Sequence, residues 1–137
     1  MNNSKKYVVG AISSHGHERG HVLVLHQLPD VEAIHVCATT EFANVDDMAA
    51  ESSKVVSKAK DVEELLVRQD LDAVTVCARP DHAPAIMEQV VKAGLPVLYD
   101  KPAAIHSSHL RRVADIAKQK DVTVGAMLQW RYNPMIQ

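Results

Sequence analysis

The sequence predicts an α/β domain, a doubly wound parallel sheet of about six strands with helices on both faces. Short β-rich runs alternate along the chain with segments whose apolar residues recur at helical spacing, the pattern of βαβ units. One of those runs, Ala73 to Ala78 (AVTVCA), is apolar throughout, as a strand covered on both faces must be. The length of 137 residues suits one domain, and no repeat, low-complexity tract or Gly/Ser linker divides it.

Tyr7 to Ile12 forms the first strand and is broken by Ser13 and Ser14. From about Gly16 to Leu28 the pattern turns helical, with Val22, Leu25 and Leu28 on one face, until Pro29 and Asp30 stop it. Val31 to Ala38 is the second strand, residues 41–53 a short polar helix, and Lys54 to Ser57 a short third strand. Asp61 is placed to cap a helix whose buried side is Leu65 and Leu66, with an acid three positions after the cap. After the strand Ala73 to Ala78, Asp81 caps a helix that tolerates Pro84 in its first turn. That helix buries Ile86, Met87, Val90 and Val91 and ends at Gly94. Pro96 to Tyr99 is the fifth strand. Ser107 or Ser108 caps a helix with Leu110, Val113, Ala114 and Ala117 on one stripe, and Val122 to Met127 is the sixth strand.

Composition narrows the partners. Apolar residues make up 47%, charged residues 23%, and the net charge is -2, so neither nucleic acid nor an anionic membrane is the expected partner. Arg111 and Arg112 read as a solvated helix face. Cys37 and Cys77 each end an apolar run and read as small buried hydrophobes, which suits a reducing cytoplasm. Met1 to Lys6 shows no apolar core of a secretory signal, and no run reaches membrane-spanning length.

In an open parallel sheet, ligands bind at the carboxyl ends of the strands. The loops there are Ser13–His17, Ala38–Glu41, Ala78–His82 and Tyr99–Ala103. A dinucleotide-binding Rossmann-type domain carries G-x-G-x-x-G in the first of them, because glycines let pyrophosphate approach the backbone. Here the segment is SSHGHERGH. In one register Ser13, His15 and Glu18 stand at the glycine positions; in the other they are Ser14, Gly16 and Arg19. A helix N-terminus would still offer free N–H groups to a phosphate, with Ser13, Ser14, His15 and His17 adding donors and Glu18 opposing an anion. No acid ends the second strand, where NAD-binding domains hold the ribose; Thr39 and Thr40 are candidates for the ribose or a 2′-phosphate, with capping of the next helix as their default role. His15, His17 and His21 form a competing constellation, H-x-H-x-x-x-H. His17 and His21 would share a helix face as a metal site requires, but the three stand in one short segment with no evident carboxylate, so no metal is expected.

The segment DAVTVCARPDHAPAIMEQVVKAGLPVLYDKPAA, followed by VGAMLQWRYNP and preceded by VEELL, resembles the Gfo/Idh/MocA oxidoreductases, which include glucose–fructose oxidoreductase and inositol dehydrogenase. The matching residues are Pro80, His82, Ala93-Gly94, Asp100-Lys101-Pro102 and Arg131 to Pro134. The likeness covers nearly the whole chain but only the first half of a typical member. It implies an NAD or NADP cofactor and a sugar- or polyol-like alcohol as substrate. It places Lys101 beside the nicotinamide as the catalytic amine, where burial would tune it. It assigns Ala78, Arg79, Pro80, His82 and Asp100 to the cofactor cleft, with Asp100 replacing the usual Glu. Arg131 either approaches the ligands or caps the sixth strand. Residues 1–128 are then the dinucleotide-binding domain, and 129–137 a tail or the start of an α+β second domain that would complete the pocket. A half without that partner exposes its docking face, so a homo-oligomer or poor solubility is expected. The rival readings are a non-catalytic or truncated binding domain and, behind it, a metal-dependent hydrolase using His15, His17 and His21.

Overall fold

A computed structural model describes residues 5–15 and 17–135. Six strands, β1 (Tyr7–Ser13), β2 (Val31–Ala38), β3 (Val55–Ala59), β4 (Ala73–Cys77), β5 (Val97–Asp100) and β6 (Val124–Met127), form one all-parallel sheet in the order β3-β2-β1-β4-β5-β6. Helices α1 (Glu18–Gln27), α2 (Val45–Ala50), α3 (Val62–Leu66), α4 (Ala83–Lys92) and α5 (Ser107–Lys120) make the crossovers. Val22 and Leu25 of α1 and Met48 of α2 pack with Val9, Ala11, Ile34 and Val36 on one face. On the other, Leu65 of α3, Met87, Val90 and Val91 of α4, and Val113 and Ala117 of α5 pack with Val74, Val76 and Val97. This is the doubly wound arrangement the alternating pattern predicts.

Local chemistry explains most boundaries and corrects several. Asp61 does cap α3, its Oδ1 accepting the Glu64 N–H at 2.8 Å, while Glu64 reaches back to the Lys60 N–H at 3.2 Å. Gly94, at φ 80°, closes α4 in a Schellman turn: its N–H donates to the Val91 carbonyl and the Leu95 N–H to that of Val90. The same turn closes α5 with Asp121 in the left-handed position, φ 54° and ψ 42°. Asp81 is not the cap of α4. His82 holds that position without a side-chain bond, because the Asp81 carboxylate is taken by the Arg79 guanidinium at 2.9 and 3.2 Å. Likewise His106, not Ser107 or Ser108, precedes α5, and Ser107 is its first residue. The predicted helix over 41–53 contracts to α2, whose cap Asn44 accepts the Asp46 N–H. α1 starts at Glu18 and ends before Leu28, which is 45% exposed and leaves the expected apolar stripe. The third strand is displaced to Val55–Ala59, β5 extends to Asp100, and β6 starts only at Val124. Beyond it, Gln129–Tyr132 form a 3-10 turn.

Candidate functional site

Strand order reverses between β1 and β4, so the crossovers leaving their carboxyl ends depart to opposite sides and open a crevice there. Its floor is laced by hydrogen bonds between loops distant in sequence. The Ser14 N–H donates to the Cys77 carbonyl at 3.0 Å, and the Arg79 N–H to Ser14 Oγ at 2.8 Å, tying β1 to β4. On the other side Thr39 donates from both its N–H (2.7 Å) and Oγ1 (3.0 Å) to the Ser13 carbonyl, and Thr40 Oγ1 donates to that of Ser14 at 2.6 Å. Neither threonine caps α2, so their default role as helix caps is corrected; they bind the first turn to β2. Ser13 Oγ donates to the His15 carbonyl at 2.7 Å and accepts the His15 N–H at 3.1 Å. Ser13 and Ser14 are fully buried, so their hydroxyls are turned into the floor.

Three of the loops and the end of β5 meet around this floor. Ala78 is buried and Pro80 half-buried at the end of β4, whereas Arg79, Asp81 and His82 are exposed and mutually engaged. Asp100, the last residue of β5, is 5% exposed. Its Oδ1 accepts the Lys101 N–H at 2.9 Å, and its Oδ2 lies 3.5 Å from His17 Nδ1 and 3.7 Å from Cys77 Sγ. Lys101 follows at the rim with an exposed side chain. Burial was the expected device for tuning this amine, and the described residues do not supply it. Arg131 sits in the 3-10 turn past β6, exposed, with its N–H on the Leu128 carbonyl. Gly16 lies outside the described residues. His21, within α1, is half-buried and approaches Cys77 and Asp100.

Two hollows adjoin the crevice. One of about 430 Å³ lies beyond β2, bounded by Ala38, Thr39, Lys60, Asp61, Val62 and Gln89. The other, about 690 Å³ and mainly apolar, runs between α1 and the uncovered side of β5 and β6, past Val24, Leu28, Leu98 and Leu128 to His17 and Asp100. Sequence reasoning missed Cys77, His21's carboxylate neighbour and Lys60. Strand alternation was the available signal: it turns Thr75, Cys77, Leu98 and Asp100 to one face, the side α1 occupies.

Residues 5–127 match the family model of an oxidoreductase family with an NAD-binding Rossmann fold. The chain belongs to the Gfo/Idh/MocA oxidoreductase family. It is similar to a myo-inositol dehydrogenase, Hyg17, of Streptomyces leeuwenhoekii, with 30% identity over 99 residues, 72% of this chain and 30% of that protein. In fold it is similar to GenD2 of gentamicin A biosynthesis, solved with NAD, at a TM-score of 0.83 and 22% identity, covering 98% of this chain and 38% of that one. A probable dehydrogenase from Thermotoga maritima superposes with a TM-score of 0.81 at 20% identity, covering 93% and 37%. The chain thus spans under a third of the length of the curated relatives it matches, 28% and 30%.

As this family's NAD-binding Rossmann domain, it can be tested for fit to a dinucleotide residue by residue. The strand order and crevice fit. So does α1, ten residues long, whose N-terminus stands at the end of β1, with the Gly20 N–H of its first turn given to the His17 carbonyl. The glycine fingerprint does not recur: the Ser14 and His15 amides are consumed in the floor, and Gly20 meets nothing within 4 Å of an added Cβ, so it is no close-packing glycine. The floor is therefore held by hydroxyls where a glycine fingerprint would place small residues, and the phosphate site that remains is the helix end.

Proposed function

We propose that this domain binds NAD or NADP across the crevice and, within a longer or paired assembly, serves hydride transfer to or from a sugar- or polyol-like alcohol. The observation that carries the reading is the placement of Lys101 and Asp100 at the end of β5, across the strand-order reversal from the N-terminus of α1. In this reading the α1 end takes the pyrophosphate, with His15 and His17 beside it. Thr39 and Thr40 keep hydroxyl lone pairs for the ribose, the hollow beside Thr39 accepts the nucleoside, and Lys60 on its wall offers a cation to a 2′-phosphate. Ala78, Arg79, Pro80 and His82 line the β4 side.

The cofactor, when bound, supplies the hydride acceptor or donor. Lys101 supplies the proton chemistry: its Nζ polarises a substrate carbonyl, or takes the proton of the alcohol as the carbonyl forms. Asp100, by accepting the Lys101 N–H, fixes the backbone from which that amine extends. The uncovered apolar groove along α1 is the face on which a second domain or a second copy would complete the pocket.

Titration of the chain with NADH and NADPH, read by fluorescence and calorimetry, tests the reading. Saturable binding is expected for wild type and, nearly unchanged, for Lys101→Ala. In the complete enzyme Lys101→Ala is expected to lower kcat by about 10²- to 10⁴-fold on polyols, the usual worth of a general acid–base group. Absence of saturation at millimolar cofactor refutes the proposal. Binding without turnover on any polyol points instead to a non-catalytic binding domain.

A further inference from the structure

We propose that His17, His21, Cys77 and Asp100 form a binding site for one borderline-soft divalent metal ion, with zinc(II) the best match. The inference is independent of the cofactor reading. The residues come from the α1 cap, the body of α1, the end of β4 and the end of β5, and the fold alone brings them together. His21, Cys77 and Asp100 each offer a ligand atom within 4.8 Å of the other two, and so do His15, His17 and Cys77. Cys77 is common to both groups, and the His17–Asp100 approach joins them.

Imidazole nitrogen, thiolate sulfur and carboxylate oxygen are the donor types zinc selects. The distances agree with that chemistry. Bond lengths of about 2.0–2.1 Å to nitrogen and oxygen and about 2.3 Å to sulfur give tetrahedral edges of about 3.4 Å (N to O) and about 3.6 Å (S to O). Asp100 Oδ2 stands 3.5 Å from His17 Nδ1 and 3.7 Å from Cys77 Sγ, close to both edges. From the 4.8 Å limit, His21 needs to close by no more than about 1.4 Å to reach such an edge.

The supporting contacts point the same way. Asp100 Oδ1 is engaged by the Lys101 N–H, which leaves Oδ2 facing the cluster, as outer contacts orient a metal-bound carboxylate. Cys77 and Asp100 are 1% and 5% exposed and form a closed inner wall, whereas His17 is 68% exposed and lies on the entry side. A dication there would offset a buried carboxylate and a buried thiolate together. On binding, the S–H proton of Cys77 passes to solvent as the sulfur–metal bond forms. His15, whose ring stacks on His17 at 5.7 Å, also approaches His17 and Cys77 but makes no contact with Asp100 among the described residues, so it is left out of the four ligands.

The test uses the full chain, stripped with chelator and titrated with cobalt(II) alone, then with zinc(II). One cobalt per chain is expected, with a thiolate-to-cobalt charge-transfer band and the intense visible bands of tetrahedral cobalt, all abolished by zinc. Cys77→Ser should remove the charge-transfer band. Asp100→Asn, His21→Gln and His17→Gln should each weaken zinc binding at least about 10-fold. His17 is exposed, so its variant keeps the core intact, and circular dichroism checks the others. His15→Gln and the remote His109→Gln should bind as wild type. A wild-type complex without the charge-transfer band, or undiminished affinity in His17→Gln, overturns the proposal. So does loss confined to His15→Gln. Cofactor titration of metal-free protein is read separately, so either proposal can fail alone.

Discussion

Replacing Ser14 with alanine tests whether the crevice floor is held by hydroxyls. Ser14, which has no exposed surface, accepts the Arg79 N–H at its Oγ at 2.8 Å. In Ser14→Ala the methyl group occupies the same space but accepts nothing. A part-buried amide thereby loses its partner at a site closed to water on the serine side. Leaving such a donor unpaired costs about 1–3 kcal/mol, well above the net worth of an average hydrogen bond. The backbone bonds of Ser14 to Cys77 and Thr40 persist, and beside the Arg79 bond only the long 3.5 Å approach of Ser14 Oγ to His15 Nδ1 is lost, so about 2 kcal/mol is expected. Urea unfolding followed by far-UV circular dichroism measures it, with an unchanged m-value showing that the native and unfolded states keep their extent. Ser107→Ala is the control: its Oγ accepts from Arg111 on the exposed surface, so a change within about 0.5 kcal/mol is expected. If Ser14→Ala also falls within that margin, the lacing of β1 to β4 contributes nothing and the account of the floor is wrong.

Burial, and behind it the nearby Arg68 charge, holds the His35 imidazole below its ordinary value of 6.5 in the folded chain. The unfolded chain binds the proton more readily, so this contribution to stability is complete above about pH 6.5 and is lost as pH falls below it; His35→Gln should flatten that part of a denaturation–pH profile. Gly94→Ala should cost about 1 kcal/mol from backbone strain alone, since φ is 80° and an added Cβ meets nothing within 4 Å. Asp121→Gly should gain about 0.5–1 kcal/mol by relieving the same left-handed conformation and removing a negative charge from the α5 C-terminus; thermal unfolding compares the two. Cys37, its thiol pushed up to about 11 by burial and then by Asp61 and Glu64, should resist alkylation at neutral pH until denaturant is added; prompt labelling of the native chain at Cys37 would contradict its placement.

The central strands were legible because they are largely buried on both faces: Ala73 to Cys77 is apolar but for Thr75, and Val31 to Ala38 apart from Glu32 and His35. Helix stripes were legible where burial is strong, as in α4, and failed where a residue lies past the helix end, as Leu28 does. Caps were read correctly where a side chain has no competing partner. Asp61 caps α3, but Asp81 is drawn away by Arg79 two residues before it, a competition that spacing does not reveal. Of the site, the loops at the strand ends follow from the topology. The approach of Asp100 to His17 and Cys77 does not, because it depends on how β5 registers against β4 and on the angle of α1, neither of which has a local signal. A carboxylate 83 residues from the histidine it faces is invisible to motif reading.

Topology decides where a ligand can enter, and side chains decide which ligand. The reversal of strand order between β1 and β4 would exist with almost any first turn. What a glycine-rich turn adds is backbone amide facing the ligand; here the Ser14 and His15 amides face Cys77 and Ser13 instead. The surface left to a ligand is the α1 terminus together with imidazoles, and these two serve different chemistry. The helix end attracts anions through its dipole and free amides. The imidazoles, with Cys77 and Asp100 beneath them, present lone pairs and negative charge, which attract cations. One crevice can hold both because most of the donors are separate: the dinucleotide reading draws on the α1 terminus, Thr39, Thr40 and the β4 loop, the metal reading on His21 and Cys77. His17 and Asp100 are where they overlap. A His17→Gln chain that binds NADH as wild type but has lost zinc would show that the metal, and not the cofactor, accounts for the histidines standing in place of glycine.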